Sequence, residues 1–277
     1  MRVTVVGASG FIGRHLSAAL RGRGDEVVEA SLRNVNAAGQ ACEGSDAIVQ
    51  LAGAPVTTRW TARAKDEIRR SRVDATRALV DRLAQLRARP KVYVSASAVG
   101  YYGASETATF AESSPPGSDF LAEVCADWER EASRAGELGM RVAYIRTGIV
   151  LGLDGGALAR LLPIFKLGFG GVIGSGRQWN SWIHIDDVVG IYLLAIDGAD
   201  GALNATAPEP VRNVDFTCAL ASALHRPAFL PIPAFALRAI FGEGASILTT
   251  GQRVLPERTL SLGYTFQYPQ ITAALSS

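Results

Sequence analysis

The chain opens on a short β-branched apolar run, residues 2 to 6, which suits a strand buried on both faces, and Gly7-Ala8-Ser9-Gly10-Phe11-Ile12-Gly13 follows without a gap. Apolar residues then recur at Phe11, Ile12, Leu16, Ala19 and Leu20, a helical spacing that Gly22 and Gly24 end. Val27-Val28 reads as a second strand, Ala47-Ile48-Val49-Gln50-Leu51 as a third and Val92-Tyr93-Val94-Ser95 as another, with one long helical pattern from Thr61 to Arg87 before the last. Beyond a Ser-, Pro- and Gly-rich loop at residues 112 to 118, the spacing predicts a helix from Phe120 to Leu138 and then the strand Val142-Ala143-Tyr144-Ile145. Strands alternating with helices predict an α/β fold with a Rossmann-type, doubly wound parallel sheet of about six strands.

Past Leu151 the pattern changes to Gly-rich connections and Pro-flanked segments without an internal repeat. Residues 1–150 are therefore expected to form a nucleotide-binding domain and residues 151–277 a smaller substrate lobe, with 179–200 returning to the first domain as a strand and helix. The stretch from Pro227 to Pro233 reads as extended and leads into an apolar helix from Phe235 to Phe241, which either covers the substrate cleft or makes a homodimer contact.

Composition narrows the partners. With 277 residues, 48% hydrophobic and 19% charged, the chain has ordinary globular composition and length for a substantial core. A formal charge of +2, with acids and bases interspersed, gives no footprint for nucleic acid or an anionic membrane, so a small-molecule partner is expected. Cys42, Cys125 and Cys218 are odd in number and lack metal-ligand spacing, which argues against a disulfide framework or a metal site and suits a reducing cytoplasm. No stretch approaches the ~18 uninterrupted apolar residues of a membrane span.

The glycine run carries the first chemistry. Between a β-branched strand and an amphipathic helix, Gly7, Gly10 and Gly13 permit a tight turn that brings backbone N–H groups, with Ser9, Phe11 and Ile12, against a pyrophosphate at a helix N-terminus. The second strand would end in a carboxylate if it held a free ribose 2′-hydroxyl. The sequence there is Ala30-Ser31-Leu32-Arg33, so an acid is missing and a guanidinium is present. Arg33 suits a 2′-phosphate, which favours NADP over NAD as the cofactor. The alternative is a solvated Arg33 with Glu29 turned inward. Leu51-Ala52-Gly53, after the third strand, is the expected small-residue turn beside the adenosine and pyrophosphate.

With these features in order, followed by Ser95-Ala-Ser97, Tyr101-Tyr102-Gly103 and Trp182-Ile-His184-Ile-Asp186-Asp187, the chain resembles extended short-chain dehydrogenases/reductases of the NAD(P)-dependent epimerase/dehydratase family over nearly its whole length. Arg146-Thr-Gly-Ile-Val-Leu-Gly, Gly174-Ser-Gly-Arg-Gln178 and Gly251-Gln-Arg-Val-Leu-Pro256 resemble an atypical subgroup of epimerase family proteins. The resemblance implies an oxidoreductase or epimerase-like activity resting on a Tyr and a Lys four residues later, with a Ser or Thr beside them. Ser97 matches the last of these. Placing Glu129 on the family's following Glu puts Cys125 at the Lys and Leu121 at the Tyr, and the chain contains no YxxxK. Neither residue replaces a phenol beside a cation.

Tyr101 and Tyr102 are the remaining acid candidates. Cys125 is either a thiol of lowered pKa or a small buried hydrophobe, and Asp119 and Glu123 read as helix N-terminal charges. His184 and Asp187 read chiefly as structural. The resemblance places Arg177, Gln178 and Trp182 where extended members contact the distal group of a substrate. Trp60, Arg69 and Arg72 either border the pocket or lie on a solvated face. Two functions stay open at this point, an NADP(H)-dependent enzyme with a non-standard acid and a catalytically silent NADP(H)-binding sensor.

Overall fold

A computed structural model describes residues 1–228 and 230–276. Strands β1 (Arg2–Val6), β2 (Glu26–Ala30), β3 (Ala47–Gln50) and β4 (Val92–Ala98) form, with later strands, one six-stranded sheet. Between them run α1 (Phe11–Gly22), α2 (Val35–Ala41), α3 (Ala62–Arg69) and α4 (Ala75–Leu83). The single helix expected from Thr61 to Arg87 is instead broken by a π-helical turn, Arg70–Asp74, between α3 and α4. Such a turn rotates the side chains that follow it relative to a continuous α-helix and is often found at functional sites.

After β4 come the short strand β5 (Thr109–Phe110), helix α5 (Phe120–Ser133), strand β6 (Arg141–Thr147) and strand β7 (Ile149–Gly152). The rest of the chain adds α6 (Gly156–Lys166), β8 (Trp179–Asn180), β9 (Trp182–His184), α7 (Ile185–Asp197), β10 (Gly201–Ala205), β11 (Val211–Arg212), α8 (Asn213–Ala223), α9 (Ala234–Phe241) and β12 (Arg253–Val254). In the main sheet the order is β2-β1-β3-β4-β6-β10, all neighbours parallel. The order reverses between β1 and β3, so the loops after these two strands diverge and leave a crevice at their C-terminal ends.

Alternation along the strands builds the two layers. Val3 and Val5, Ala47 and Val49, and Val92 and Val94 face one side, where they pack with Leu16 and Leu20 of α1 and Val188, Ile191 and Tyr192 of α7. Val6, Ile48 and Tyr93 face the other, against Ala38 of α2, Leu79 and Leu83 of α4 and Ala132 of α5. The sixth strand, β10, had no strand signal in the sequence, because its Gly-Ala-Leu-Asn-Ala is short of β-branched residues; burial between the sheet and its flanking layers decides it.

The stretch that returns to the first lobe begins at Ile183 and reaches Ala205, whereas Trp182 belongs to the core of the second lobe with Leu158, Phe165, Phe216 and Leu220. Within the Pro227-to-Pro233 stretch, Ile232 bridges Ile173 in parallel, and Phe229 lies outside the described residues. No helix among the described residues is long and apolar enough to cross a membrane.

Candidate functional site

The crevice is built on a turn that only glycine fits. Gly7 has φ +93°, and a Cβ there would lie 3.0 Å from the backbone N of Ala52, so β1 and β3 end in contact. A Cβ on Gly13 would come 2.3 Å from the Gly7 carbonyl, which holds the first turn of α1 against the loop. Gly10 is the N-cap of α1 and supplies no side-chain cap, and the first turn carries no acid. Ser9, Gly10 and Gly53 are exposed at this edge, while Phe11, Ile12, Leu51 and Ala52 are half-buried. Twelve residues of α1 thus end in amide groups available to an anion.

Glu29 is committed elsewhere, its carboxylate 2.6 Å from Arg21. Arg33 is exposed just past β2, and among the described residues its guanidinium has no ion-pair partner. The end of β2 therefore carries an exposed cation, and the acid on that strand is paired.

At the far end of the crevice, β4 delivers Ser97 and the following turn Tyr101 and Tyr102. Ser97 donates a hydrogen bond to Glu129 Oε1 at 2.6 Å. Glu129 and Arg146 form a two-pronged ion pair, with Nε–Oε1 2.9 Å and Nη2–Oε2 2.8 Å, their side chains 10% and 5% exposed. Arg146 Nη1 also donates to the Tyr102 hydroxyl at 3.0 Å, and that hydroxyl donates to Asn204 Oδ1 at 2.6 Å. Burial works against the Arg146 cation, yet Glu129 more than offsets it and holds its pKa above the usual guanidinium value. Burial pushes the Tyr102 phenol up to about 12, although Arg146 pulls the other way.

Ser97 and Tyr102 are thus members of a buried ionic network that ties β4, β6, α5 and β10 together. Tyr101 stands differently. It is half-buried, its ring lies against the Arg146 guanidinium at 3.5 Å, and its hydroxyl has no hydrogen-bond partner among the described residues.

Leu121 and Cys125 lie on α5 beside Gly100, where an added Cβ would be 3.4 Å from Leu121 Cβ and 3.9 Å from Cys125 Sγ. Cys125 is buried, and burial pushes its thiol up to about 12 despite Arg72 nearby, so it is the small buried hydrophobe rather than a thiolate. Asp119 caps α5, accepting from Ala122 N at 3.0 Å.

The three residues placed at the distal substrate group do not converge. Arg177 is exposed and pairs with Glu106 at 3.2 Å. Gln178 is buried, its amide donating to the carbonyls of Ile173 and Leu248. Trp182 is fully buried and its indole N–H donates to the Glu209 carbonyl, which fixes β9 to the second lobe. Trp60 instead lies at the lobe junction: its backbone N–H donates to the Phe241 carbonyl, its ring packs edge-on to Phe120, and Gly244 approaches it closely.

Asp187 is fully buried and accepts from the Tyr264 hydroxyl at 3.1 Å and from the backbone N–H groups of Gln267 and Tyr268 at 2.8 and 3.0 Å, clasping the C-terminal tail. His184 Nδ1 accepts from Asp186 N–H at 3.3 Å, and its ring lies 3.9 Å from that of Tyr268. Residue patterning had marked Arg146 and Glu129 only as points of resemblance; a charged residue at the end of a buried strand is the signal that would have paired them.

Comparison with known proteins agrees with this architecture. Residues 3–206 match the NAD dependent epimerase/dehydratase family, and residues 232–277 match a domain of unknown function, DUF1731. An Arabidopsis thaliana protein named epimerase family protein SDR39U1 homolog, chloroplastic, is 45% identical, covering 99% of this chain and 86% of the relative. The crystal structure of human epimerase family protein SDR39U1 (isoform 2) with NADPH is 37% identical, with a TM-score of 0.94 over 100% of this chain and 98% of that one. UDP-glucose 4-epimerase of Thermotoga maritima is similar in fold alone, with a TM-score of 0.81 at 17% identity over 100% of this chain and 96% of that one.

Proposed function

Because the chain belongs to the NAD dependent epimerase/dehydratase family, we propose that it binds NADP(H) in the crevice between β1 and β3 and works as an oxidoreductase or epimerase-like enzyme on a small molecule, without the usual Tyr-Lys pair. The observation that carries the reading is the combination at the ends of β1 and β2. The uncapped N-terminus of α1 fits a pyrophosphate, and Arg33, without an ion-pair partner among the described residues, fits a 2′-phosphate where Glu29 is held by Arg21. The human relative crystallised with NADPH supports the same cofactor.

When bound, the cofactor supplies the hydride chemistry. The chain's own part is to orient it and to move a proton. Gly7, Gly10 and Gly13 bring the amides of Ser9, Phe11 and Ile12 to the pyrophosphate, and Leu51, Ala52 and Gly53 form the opposing wall. Of the two acid candidates, Tyr101 is the one whose hydroxyl lies outside the buried network. We assign proton exchange to Tyr101, with Tyr102 and Glu129, itself held by Ser97, fixing Arg146 against its ring. The distal end of the substrate lies toward Trp60 and the lobe junction rather than at Gln178 or Trp182.

NADPH and NADH titrations followed by nicotinamide fluorescence test the cofactor. A charge-assisted phosphate contact is worth about 1.5–3 kcal/mol, so NADPH binds ~10- to 100-fold more tightly than NADH, and Arg33→Ala removes most of the difference. Equal affinities in the unaltered protein would sink the role of Arg33. Tyr101→Phe abolishes turnover if that phenol is the acid, and unchanged turnover excludes it.

A second reading, a catalytically silent NADP(H)-binding sensor, is favoured by Leu121 and neutral Cys125 in place of the proton-transfer pair. Tight NADPH binding with no hydride exchange into any of a panel of carbonyl compounds is its signature.

A further inference from the structure

Arg72 is the cation of the site that remains unexplained. It sits on the π-helical turn Arg70–Asp74, and its arginine neighbours face outward: Arg69 pairs with Asp127, and Arg70 pairs with Asp66 and Glu67. Arg72 turns inward. A Cβ on Gly53 would lie 3.0 Å from its Cζ and 3.1 Å from its Nη2, so the guanidinium lies against the turn that walls the cofactor crevice. On its other side it covers the Trp128 ring at 5.4 Å.

Its polar contacts are weak. Nη1 reaches the Ile68 carbonyl at 3.3 Å and Ser71 Oγ at 3.5 Å, and no carboxylate among the described residues lies within ion-pair distance. The indole N–H of Trp128, buried beside it, likewise meets no acceptor among them. Arg146, the more deeply buried cation, is matched by Glu129, and Arg141, which has no acid, donates instead to the carbonyls of Ala195, Ile196 and Ala199. A half-buried guanidinium without one is costly unless an anion or several oxygens arrive to share it.

Position decides which anion. Gly53 follows β3, which places Arg72 beyond the β1–β3 crevice on the side of β4, while Gly100 and Cys125 mark the end of β4. Trp128, which Arg72 covers, lies one helical turn beyond Cys125 on α5, so the cation stands near the position that the family fills with Lys. We propose that Arg72 binds the pyrophosphate and nicotinamide-ribose half of NADP(H), supplying from α3–α4 the positive charge that Cys125 cannot supply from α5. The proposal rests on the NADP(H) reading above and assigns Arg72 to the opposite end of the cofactor from Arg33. Gly53 is part of the arrangement, since any side chain there would displace the guanidinium.

Binding of two ligands separates the possibilities without recourse to turnover. NADPH contains both halves of the cofactor; adenosine 2′,5′-bisphosphate keeps the 2′-phosphate but lacks the nicotinamide half. Arg72→Met, which retains an apolar stem against Trp128, weakens NADPH binding ~10- to 100-fold and leaves adenosine 2′,5′-bisphosphate within about twofold. Arg33→Ala weakens both. Arg72→Lys, which keeps the charge but loses the fork, falls between the unaltered protein and Arg72→Met for NADPH, and it serves in place of the methionine variant should that fail to fold. Unchanged NADPH affinity in Arg72→Met, or in Arg72→Lys where that variant stands in, overturns the proposal. An equal loss for both ligands also overturns it, by making Arg72 a support of the Gly53 turn. Failure of the unaltered protein to bind NADPH overturns the functional reading itself, and is recognised by its occurring before any substitution.

Discussion

Glu129 and Arg146 show what a single buried charge does to the site around it. Their two hydrogen bonds leave each side chain matched, and Ser97, Tyr102 and Asn204 complete the set. Glu129→Gln removes the charge and leaves Arg146 buried against a neutral amide. We expect a loss of about 3 kcal/mol or more in unfolding free energy, read by urea denaturation. Adding Arg146→Met to Glu129→Gln recovers part of that loss, because the uncompensated charge is then gone as well. At this scale the sequence was legible where one residue type has one use. Gly7 and Gly13 sit where no side chain fits. It was not legible where direction matters. Arg72 belongs to a run of arginines that reads as a solvated face, and only its turn sends it inward. Trp182 and Gln178 carry polar groups that the second lobe satisfies internally, and the sequence pattern gave no sign of those partners.

Among elements, the strongly periodic ones were readable and the irregular ones were not. β1, β3, β4 and β6 are apolar runs of a length that burial on two faces demands, and α1 and α5 have clear stops or caps. The π turn between α3 and α4 adds no Gly or Pro to mark it, so the stretch reads as one helix. The loop after β7 shows a different kind of element-level contact. Gly152, Gly155 and Gly156 pack closely on the Phe11 ring, and Asp154 accepts from Arg14 at 2.9 Å and lies 3.0 Å from His15 Nε2, so the second lobe grips the first turn of α1.

β9 and α7 join through His184. Burial lowers its pKa from 6.5, and its Nδ1 accepts from Asp186 N–H, so the folded state holds the neutral ring. The unfolded chain takes up a proton near pH 6.5 that the folded chain takes up only at lower pH. Stability from this residue is therefore full above 6.5 and falls as the pH drops toward the folded value. Thermal melts between about pH 5 and pH 8 should show that decline, and His184→Gln should flatten it.

For the whole molecule, alternation of strand and helix was enough to predict the doubly wound sheet, but not its last strand. β10 joins because the chain between Ile183 and Ala205 returns to complete the layers, a consequence of tertiary packing rather than local preference. The glycine turn at the end of β1 was visible for the same reason the sheet was, since both depend on short-range pattern. The buried network at the end of β4 depends on which side chains meet across β4, α5, β6 and β10, and pattern alone does not reveal such meetings.

Asp187 gives that long-range closure a genetic meaning. It receives the N–H groups of Gln267 and Tyr268 and sits in the first turn of α7, whose apolar face packs on α1 beneath the glycine turn. Chain end and chain beginning are separated by only those few contacts. Inherited or selected substitutions in the tail should therefore group by phenotype with lesions of the first helix, and a map of tolerated changes drawn along the chain would place side by side in effect what it draws farthest apart.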